Sequence, residues 1–220
     1  MIYGVQIDDK NTLTDWGMIL LQDLNIGEAK AKTQYIDVPE ADGALDLTNA
    51  LTPVPVYEMR QISFSLFAGK QPGGQGGPQT EHDFARTRAA LSGYCSGKKR
   101  RVWLPDDPEH YFLGRLQVGG KSGYNSGQVT VTMQAEPWRY RTEKTVRTFT
   151  APGTYYLDNE ERRAPVTITA SAVCTITHNG TEYQVAPGVT APGLVLDAGT
   201  NEITITGQAT LAISYQEGHL

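Results

Sequence analysis

The chain has 220 residues and a mass of 24.0 kDa, which is enough to bury the core of one large or two smaller β domains without disulfide staples. Lys and Arg number 19 against 24 Asp and Glu, giving a formal net charge of −5. We therefore expect no net electrostatic attraction to nucleic acid or anionic lipid. Abundant Gly and Thr, with little helical periodicity, favour a mainly β protein.

The first residues predict strands separated by a polar turn. Residues 2–7 alternate weakly, residues 8–11 are polar, and the apolar run at 18–21 after Trp16 and Gly17 predicts a buried strand. The opening sequence has no basic segment before an apolar one, so no signal peptide is expected. No apolar run approaches the ~20 residues that span a bilayer, so no membrane partner is expected either.

The stretch from Tyr35 to Phe67 predicts two strands joined through a polar turn. Residues 35–38 favour an extended backbone, Pro39 ends the first strand, and Asp42 with Gly43 forms a turn. Ile62, Phe64 and Leu66 alternate with polar residues, which places three large apolar side chains on one buried face. We interpret this stretch as the scaffold around which the chain is organised.

One helix is predicted after a loop rich in Gly and Pro. Residues 72–78 lack the Lys-Ser/Thr that a phosphate-binding loop needs, so they indicate a flexible connection. Thr80 is the expected N-cap, and Phe84, Arg88 and Leu91 share one face of the helix. Gly93 is the expected C-terminal stop. His82 in the first turn has no second ligand at helical spacing and is interpreted as solvated.

A basic run at residues 98–101 opens a predicted hairpin. Such a run can contact phosphate, or its charges can face solvent or an acidic neighbour. We favour the second interpretation, and no sequence-specific nucleic acid partner, because neither aromatic residues nor a basic domain surround the run. Residues 105–108 predict a wide acidic turn, and the strand returns over 112–118. The acids of this turn and His110 lack EF-hand spacing, so no metal is expected.

A half-buried strand over residues 128–135 then closes on the sequence 136–140. We expect the indole of Trp138 to be largely buried there. Charged residues 141–147 indicate a junction, so the predicted domains are 1–141 and 142–220. The second half has short runs of Val, Ile, Thr and Tyr between Pro-Gly, Asn-Gly and Ala-Gly turns, typical of a small β-sandwich. The predicted fold is therefore a β-sandwich-like domain with one helix, followed by a smaller β-sandwich.

Candidate chemistry is sparse. The chain has no Gly-x-Ser-x-Gly, no His-Glu-x-x-His and no Cys/His pair at useful spacing, so we expect no enzyme and no cofactor. Facing carboxylates of the glycosidase kind are a spatial pattern that one sequence does not test. Cys95 and Cys174 lie far apart and indicate two buried thiols in a reducing cytosol. Four tyrosines of the second half, Tyr155, Tyr156, Tyr183 and Tyr215, are either core residues or a carbohydrate platform.

Three motifs in order carry a family resemblance. The first is V-P-x-A-D-G-x-L-D-L-T with a following Tyr-x-x-Arg, the second is a Tyr and Gly-Arg on the hairpin, and the third is E-P-W at the strand end. Together they resemble the siphophage distal tail protein (Dit) family, although Glu40 stands where that family often has Gly. The matching signature residues are Pro39, Asp42, Gly43, Leu45, Asp46, Tyr57, Arg60, Tyr111, Gly114, Arg115, Pro137 and Trp138.

The resemblance implies a structural protein of a phage or prophage virion, assembled in the bacterial cytoplasm. Its first domain would form a hexameric ring at the distal end of the tail tube, and the ring would join the tube to tip or baseplate proteins. The second half would be galectin-like or jelly-roll-like. We expect ring contacts from residues 69–79 and 105–108. The alternatives are an adhesin that binds host-wall carbohydrate through residues 142–220, and an accessory module of a glycan hydrolase.

Overall fold

The computed structural model describes residues 3–40, 42–48, 50, 54–68, 81–121 and 127–220. Some sequence predictions lie outside these residues: the start of the first strand at Ile2, parts of the 35–67 stretch, and the Gly/Pro loop with its Thr80 cap. The described structure divides into two compact units, Met1–Pro137 and Trp138–Leu220. Strands dominate both units, as the sequence predicts.

Unit 1 is an antiparallel sheet with two described helices. Its elements are β1 Gln6–Ile7, β2 Lys10–Asn11, α1 Thr12–Trp16, β3 Met18–Leu20, β4 Asn25–Ile26, β5 Tyr35–Asp37, β6 Ala44–Asp46, β7 Arg60–Ala68, α2 Glu81–Cys95, β8 Lys99–Leu104, β9 Asp107–Lys121 and β10 Gln128–Arg141. The sheet order is β2-β1-β8-β9-β10-β7-β3, and β4 also pairs with β7. β5 and β6 form a separate two-stranded sheet.

The core of unit 1 follows the alternation that the sequence shows. Ile62, Phe64 and Leu66 of β7 are at most 1% exposed, which confirms the predicted buried face. They lie opposite Met133, Val131 and Val129 of β10 in the strand register. Phe84 and Leu91 of α2 join the same core. Burial of each large apolar side chain in this layer contributes about 1.5–3 kcal/mol to folding.

The two described helices differ from the sequence prediction: α1 was not predicted, and α2 ends later than predicted. Residues Thr12–Trp16 form the short helix α1, which the sequence pattern did not indicate: the Asn11 side chain accepts the Leu13 N–H, and Gly17 ends the helix with φ 61°. α2 continues past the predicted stop at Gly93 to Cys95. The Cys95 side chain is fully buried one turn beyond Leu91, so packing against the core extends the helix.

The β8–β9 connection is tighter than predicted. Leu104 pairs directly with Asp107, with an irregularity between Trp103 and Leu104, so only Pro105 and Asp106 form the turn. Asp107 and the residues after it belong to β9. The predicted wide acidic tip is therefore wrong, because Asp107 pairs with Leu104 and leaves a two-residue turn, while residues 108–110 form the irregularity in β9 before Tyr111.

Unit 2 is a two-sheet β-sandwich, as predicted. After the end of β10 it contains β11 Thr145–Phe149, β12 Gly153–Asn159, β13 Ala164–Ala170, β14 Cys174–His178, β15 Thr181–Val185, β16 Gly188–Thr190, β17 Val195–Leu196, β18 Gly199–Thr206, β19 Leu211–Tyr215 and β20 Gly218–His219. One sheet has the order β11-β19-β13-β16, with β17 on β13, and the other has β12-β18-β14-β15. β20 pairs with the end of β10 at Arg139 and Tyr140.

The junction region contains more regular structure than the sequence indicates. β10 runs to Arg141, and β11 begins at Thr145 inside the segment interpreted as a junction. Trp138 is partly buried, and Tyr140, two residues later, is the more deeply buried aromatic, so the burial of the Trp138 indole stays a prediction. Buried side chains alternate regularly only up to Ala135, and residues 136–139 are all half-buried. In the described residues, neither helix has the length and apolar character to cross a membrane.

Candidate interaction site on an exposed arm

A two-stranded ribbon at residues 30–58, here called the arm, leaves the sheet between β4 and β7. The N–H of Lys32 donates to the Val56 carbonyl at 2.8 Å, and the N–H of Glu58 donates to the Lys30 carbonyl at 2.8 Å. β5 and β6 continue the ribbon outward. Every described residue of the arm is exposed or half-buried. The arm therefore has no core of its own.

The outer hairpin of the arm has two chemically different faces. Ile36 pairs with Leu45 in the register, and directly opposed side chains lie on the same face of a strand pair. The neighbouring pairs join Tyr35 to Asp46 and Asp37 to Ala44, and they occupy the other face. Ile36 and Leu45 are 45% and 53% exposed, so the apolar face is open to solvent.

The turn of this hairpin explains one departure from the family pattern. Glu40 has φ 66° and Gly43 has φ 78°, so both adopt the left-handed backbone that glycine tolerates best. The glycine that the distal tail protein family often carries in place of Glu40 therefore matches the backbone at this position. The predicted turn at Asp42 and Gly43 is confirmed, and no atom lies within 4 Å of the position that a Cβ would take at Gly43.

The base of the hairpin is held by the signature residue Asp46. Its carboxylate accepts the Thr48 N–H at 2.9 Å, and the Thr48 hydroxyl accepts the Gln34 N–H at 3.1 Å. Hydrogen bonds from the Thr48 hydroxyl and backbone hold the pKa of Asp46 below its ordinary value. Asp46 is thus ionised at neutral pH and adds negative charge to the hairpin.

The interpretation of residues 35–67 as the scaffold of the chain holds for β7 and is wrong for the arm. A two-stranded ribbon is at best marginally stable alone, and its apolar face lies uncovered. Ile36 and Leu45 are exposed apolar neighbours in the register, which makes the arm a candidate site of interaction. The local sequence shows that these residues are extended. Whether other parts of the fold cover them depends on the tertiary structure. The scaffold is instead the sheet around β7 and β10.

The Tyr-x-x-Arg motif lies where the arm meets the sheet. Tyr57 is half-buried and bridges to Ala31 across the ribbon. Arg60 is 6% exposed; its guanidinium donates to the Pro137 carbonyl and lies 5.3 Å from the centre of the Phe112 ring. The structure therefore brings together Arg60 of the first motif and Pro137 of the third.

The hairpin motif is built into the sheet itself. Tyr111 is 6% exposed, with its ring centre 5.2 Å from that of Trp103. The Gly114 backbone lies against β10 at Gln134 and Ala135. Arg115 donates from Nη1 to the Gly97 carbonyl at 2.8 Å. The signature residues thus occupy the arm, its base and the β9–β10 contact, and they do not converge on one chemical centre.

A polar groove of about 480 Å³ lies beside Arg115. Leu116 and Met133 point into the core, so their strand neighbours project from the opposite face of the sheet. The polar residues that line this groove are Gln61, Ser96, Arg115, Gln117, Thr132 and Gln134. The sequence analysis did not identify the groove. The polar residues that alternate with core residues along β9 and β10 indicated a polar face of the sheet, but not a groove in it.

The basic run at residues 98–101 faces acidic and carbonyl groups, as expected from the sequence. Lys99 Nζ lies 2.5 Å from a Glu136 carboxylate oxygen, and Arg100 Nη1 lies 2.9 Å from Asp8 Oδ2. Lys98 donates to the Gly93 carbonyl at 2.8 Å. Two of the four cations are therefore neutralised by carboxylates of the same unit.

We accordingly expect the chain to bind duplex DNA weakly at physiological salt, because phosphate contacts need several unpaired cations on one surface. Fluorescence anisotropy with a labelled duplex measures this, and a chain in which residues 98–101 are replaced by serine is the matched control. Micromolar binding by the natural chain that disappears in the serine variant would contradict the expectation.

The second unit presents one exposed tyrosine of the four considered. Tyr215 is 1% exposed, and its hydroxyl donates to the Asp158 carbonyl at 2.6 Å. Tyr155 packs against Phe149 with ring centres 4.5 Å apart, and Tyr183 is half-buried. Tyr156 is 66% exposed. Three of these rings therefore serve the sandwich, and Tyr156 is the exposed one of the four.

Metal-ligating side chains form no metal-binding cluster in the part of the chain that the structure describes. Within the described ranges, no three His, Cys, Asp or Glu side chains are grouped to hold a metal ion. Both cysteines are buried free thiols, as the sequence predicts. Burial raises the pKa of the Cys95 thiol to about 11, so it is protonated and unreactive at neutral pH.

Comparison with solved structures identifies this architecture. No protein-family model matches the chain, and no curated protein sequence matches it. The crystal structure of the SPP1 Dit (gp 19.1) protein, described as a paradigm of the hub adsorption apparatus in phages that infect Gram-positive hosts, matches with a TM-score of 0.70. The chain has the fold of a distal tail protein.

The match to SPP1 Dit covers 100% of both chains at 15% sequence identity. It therefore extends over both units, including the second half, where no motif carries the resemblance. The resemblance that the three motifs carry is confirmed at the level of the fold.

Proposed function

We propose that this chain is a structural protein of a phage tail, which forms a hexameric ring at the distal end of the tail tube and joins the tube to tip or baseplate proteins. Two findings support the proposal: the full-length match in fold to a phage hub protein, and the exposed arm. The arm is the observation that carries it, because its open apolar face needs a covering surface.

A ring provides that surface through one repeated contact. In a head-to-tail ring, two different surfaces of one subunit meet at every interface until the rotation closes. An arm reaching from each copy to the next would bury Ile36 and Leu45 at each interface. The arm belongs to unit 1, which agrees with our expectation that residues 1–141 form the ring. We now assign the contact to the arm rather than to the tight Pro105 turn.

Light scattering after size-exclusion chromatography tests the ring directly. We expect the full chain to assemble to six times its 24.0 kDa mass. Replacing Ile36 and Leu45 together by serine should leave monomers, because it removes the apolar face while the hairpin backbone stays paired. The matched control replaces Val146 and Val189, which are 55% and 73% exposed in unit 2, by serine.

The control variant should assemble like the natural chain. A ring that persists in the Ile36 and Leu45 variant would show that the arm does not form the interface. A natural chain that stays monomeric at high protein concentration would contradict the ring itself. Electron microscopy of negatively stained particles would then distinguish a six-fold ring from another assembly of equal mass.

A further inference from the structure

We propose that the polar groove of unit 1 receives the acidic face of the arm from a second copy of the chain. This inference rests on the proposed ring and concerns a second contact, made by the hairpin face opposite Ile36 and Leu45. The arm and the groove are different surfaces of one unit, as a head-to-tail interface requires. Charge, strand register and exposure each support the pairing.

The donor surface is the outer hairpin of the arm. Residues 35–46 contain four carboxylates, Asp37, Glu40, Asp42 and Asp46, and no Lys or Arg. All four residues are exposed. The register places Asp37 and Asp46 on the face opposite Ile36 and Leu45, with Tyr35 between them. The outer hairpin therefore presents exposed carboxylates and, within residues 35–46, no cationic side chain.

The acceptor surface carries two guanidinium groups whose charge the described structure leaves uncompensated. Arg115 lines the groove, and its bonded partner is the Gly97 carbonyl. Lys99 pairs with Arg115 in the register, so Arg101, two residues along β8, projects from the same face. Arg101 is exposed, with its guanidinium 5.3 Å from the centre of the Tyr111 ring. Neither guanidinium contacts a carboxylate among the residues that the structure describes.

The lining of the groove also suits acidic side chains of a bound strand pair. Gln61, Gln117 and Gln134 offer amide donors and acceptors beside the Arg115 guanidinium. Arginine pairs with carboxylates through two parallel hydrogen bonds, which gives such a contact both strength and orientation. The groove therefore fits an acidic segment better than a basic or an apolar one.

A charge exchange on the full chain tests this pairing. One variant carries Arg101→Glu and Arg115→Glu, a second carries Asp37→Lys and Glu40→Lys, which leaves the Asp46 hydrogen bond to Thr48 in place, and a third carries all four changes. We expect each double variant to raise the protein concentration for half-maximal assembly by at least about tenfold, because like charges then meet at every interface. The variant with all four substitutions should recover assembly, because the charges on the two surfaces are again opposite. Assembly of the natural chain should also weaken as salt is raised.

The controls separate charge from folding. Arg86→Glu and Lys144→Glu change exposed cations elsewhere by the same amount and should leave assembly unchanged. The variant with lysines on the arm alters only exposed residues of the hairpin. It therefore tests the pairing even if the variant with glutamates at positions 101 and 115 fails to fold. If the natural chain forms rings and both double variants still do so at the same concentration, the inference is overturned while the proposed function stands. A monomeric natural chain overturns both.

Discussion

Replacing Gly114 with alanine is expected to lower the free energy of unfolding of unit 1 by about 1–3 kcal/mol or more, as overpacking does. A Cβ at this position would lie 2.6 Å from the Ala135 Cα and closer still to the Gln134 carbonyl oxygen. Both obstacles are backbone atoms of β10, so the two central strands must separate. Urea unfolding followed by tryptophan fluorescence reports this unit through Trp16 and Trp103.

Gly93→Ala is the matched control for this change. Gly93 lies within α2, and no atom comes within 4 Å of its Cβ position. Alanine there should stabilise the chain by about 0.8–1.0 kcal/mol, because it favours the helical backbone. Equal unfolding midpoints for Gly114→Ala and the natural chain would show that the strands accommodate a side chain, and the family glycine would then need another explanation.

Replacing Arg60 with alanine is expected to destabilise unit 1 by about 2–4 kcal/mol. The change removes a hydrogen bond from a charged donor, worth about 1.5–3 kcal/mol, and the packing of the side-chain stem. It also leaves the Pro137 carbonyl without this donor. Lysine should restore only part of the stability, because it lacks the planar guanidinium that reaches the carbonyl and packs over the Phe112 ring.

Arg86→Ala provides the comparison for Arg60, because Arg86 is exposed on α2. A surface change of this kind should alter the free energy of unfolding by no more than about 0.5 kcal/mol. If Arg60→Ala is as mild as Arg86→Ala in urea unfolding, Arg60 does not stabilise unit 1. Its presence in the family motif would then point to assembly, which light scattering on the same variant measures.

These two predictions divide the signature residues by role. Gly114 and Arg60 are placed inside unit 1, where they fit the contact of β9 with β10 and the base of the arm. Leu45 and Asp46 are exposed on the hairpin, and Asp46 also holds its base through Thr48. A short family motif thus combines residues that maintain the fold with residues that we propose form the ring.

The class of the fold and much of its core follow from the sequence alone. Alternation with a period of two identified β7 and β10, since successive side chains of a strand point to opposite faces. Turn residues identified the second unit: Asn179 and Gly180 have φ 49° and 74°, as a tight hairpin requires. Three motifs indicated the distal tail protein fold at 15% identity, because turns and close backbone contacts restrict the residues that fit them.

Which of the predicted elements are covered depends on the tertiary structure. Residues 35–38 and 62–66 both predict extended backbone, yet the first lies on an open arm and the second at the centre of a sheet. The same limit applies to α2, which passes Gly93 because the core covers Cys95, and to the groove, whose residues come from four separate segments. Local sequence sets backbone preference and side-chain alternation, whereas burial depends on contacts between residues that are distant along the chain.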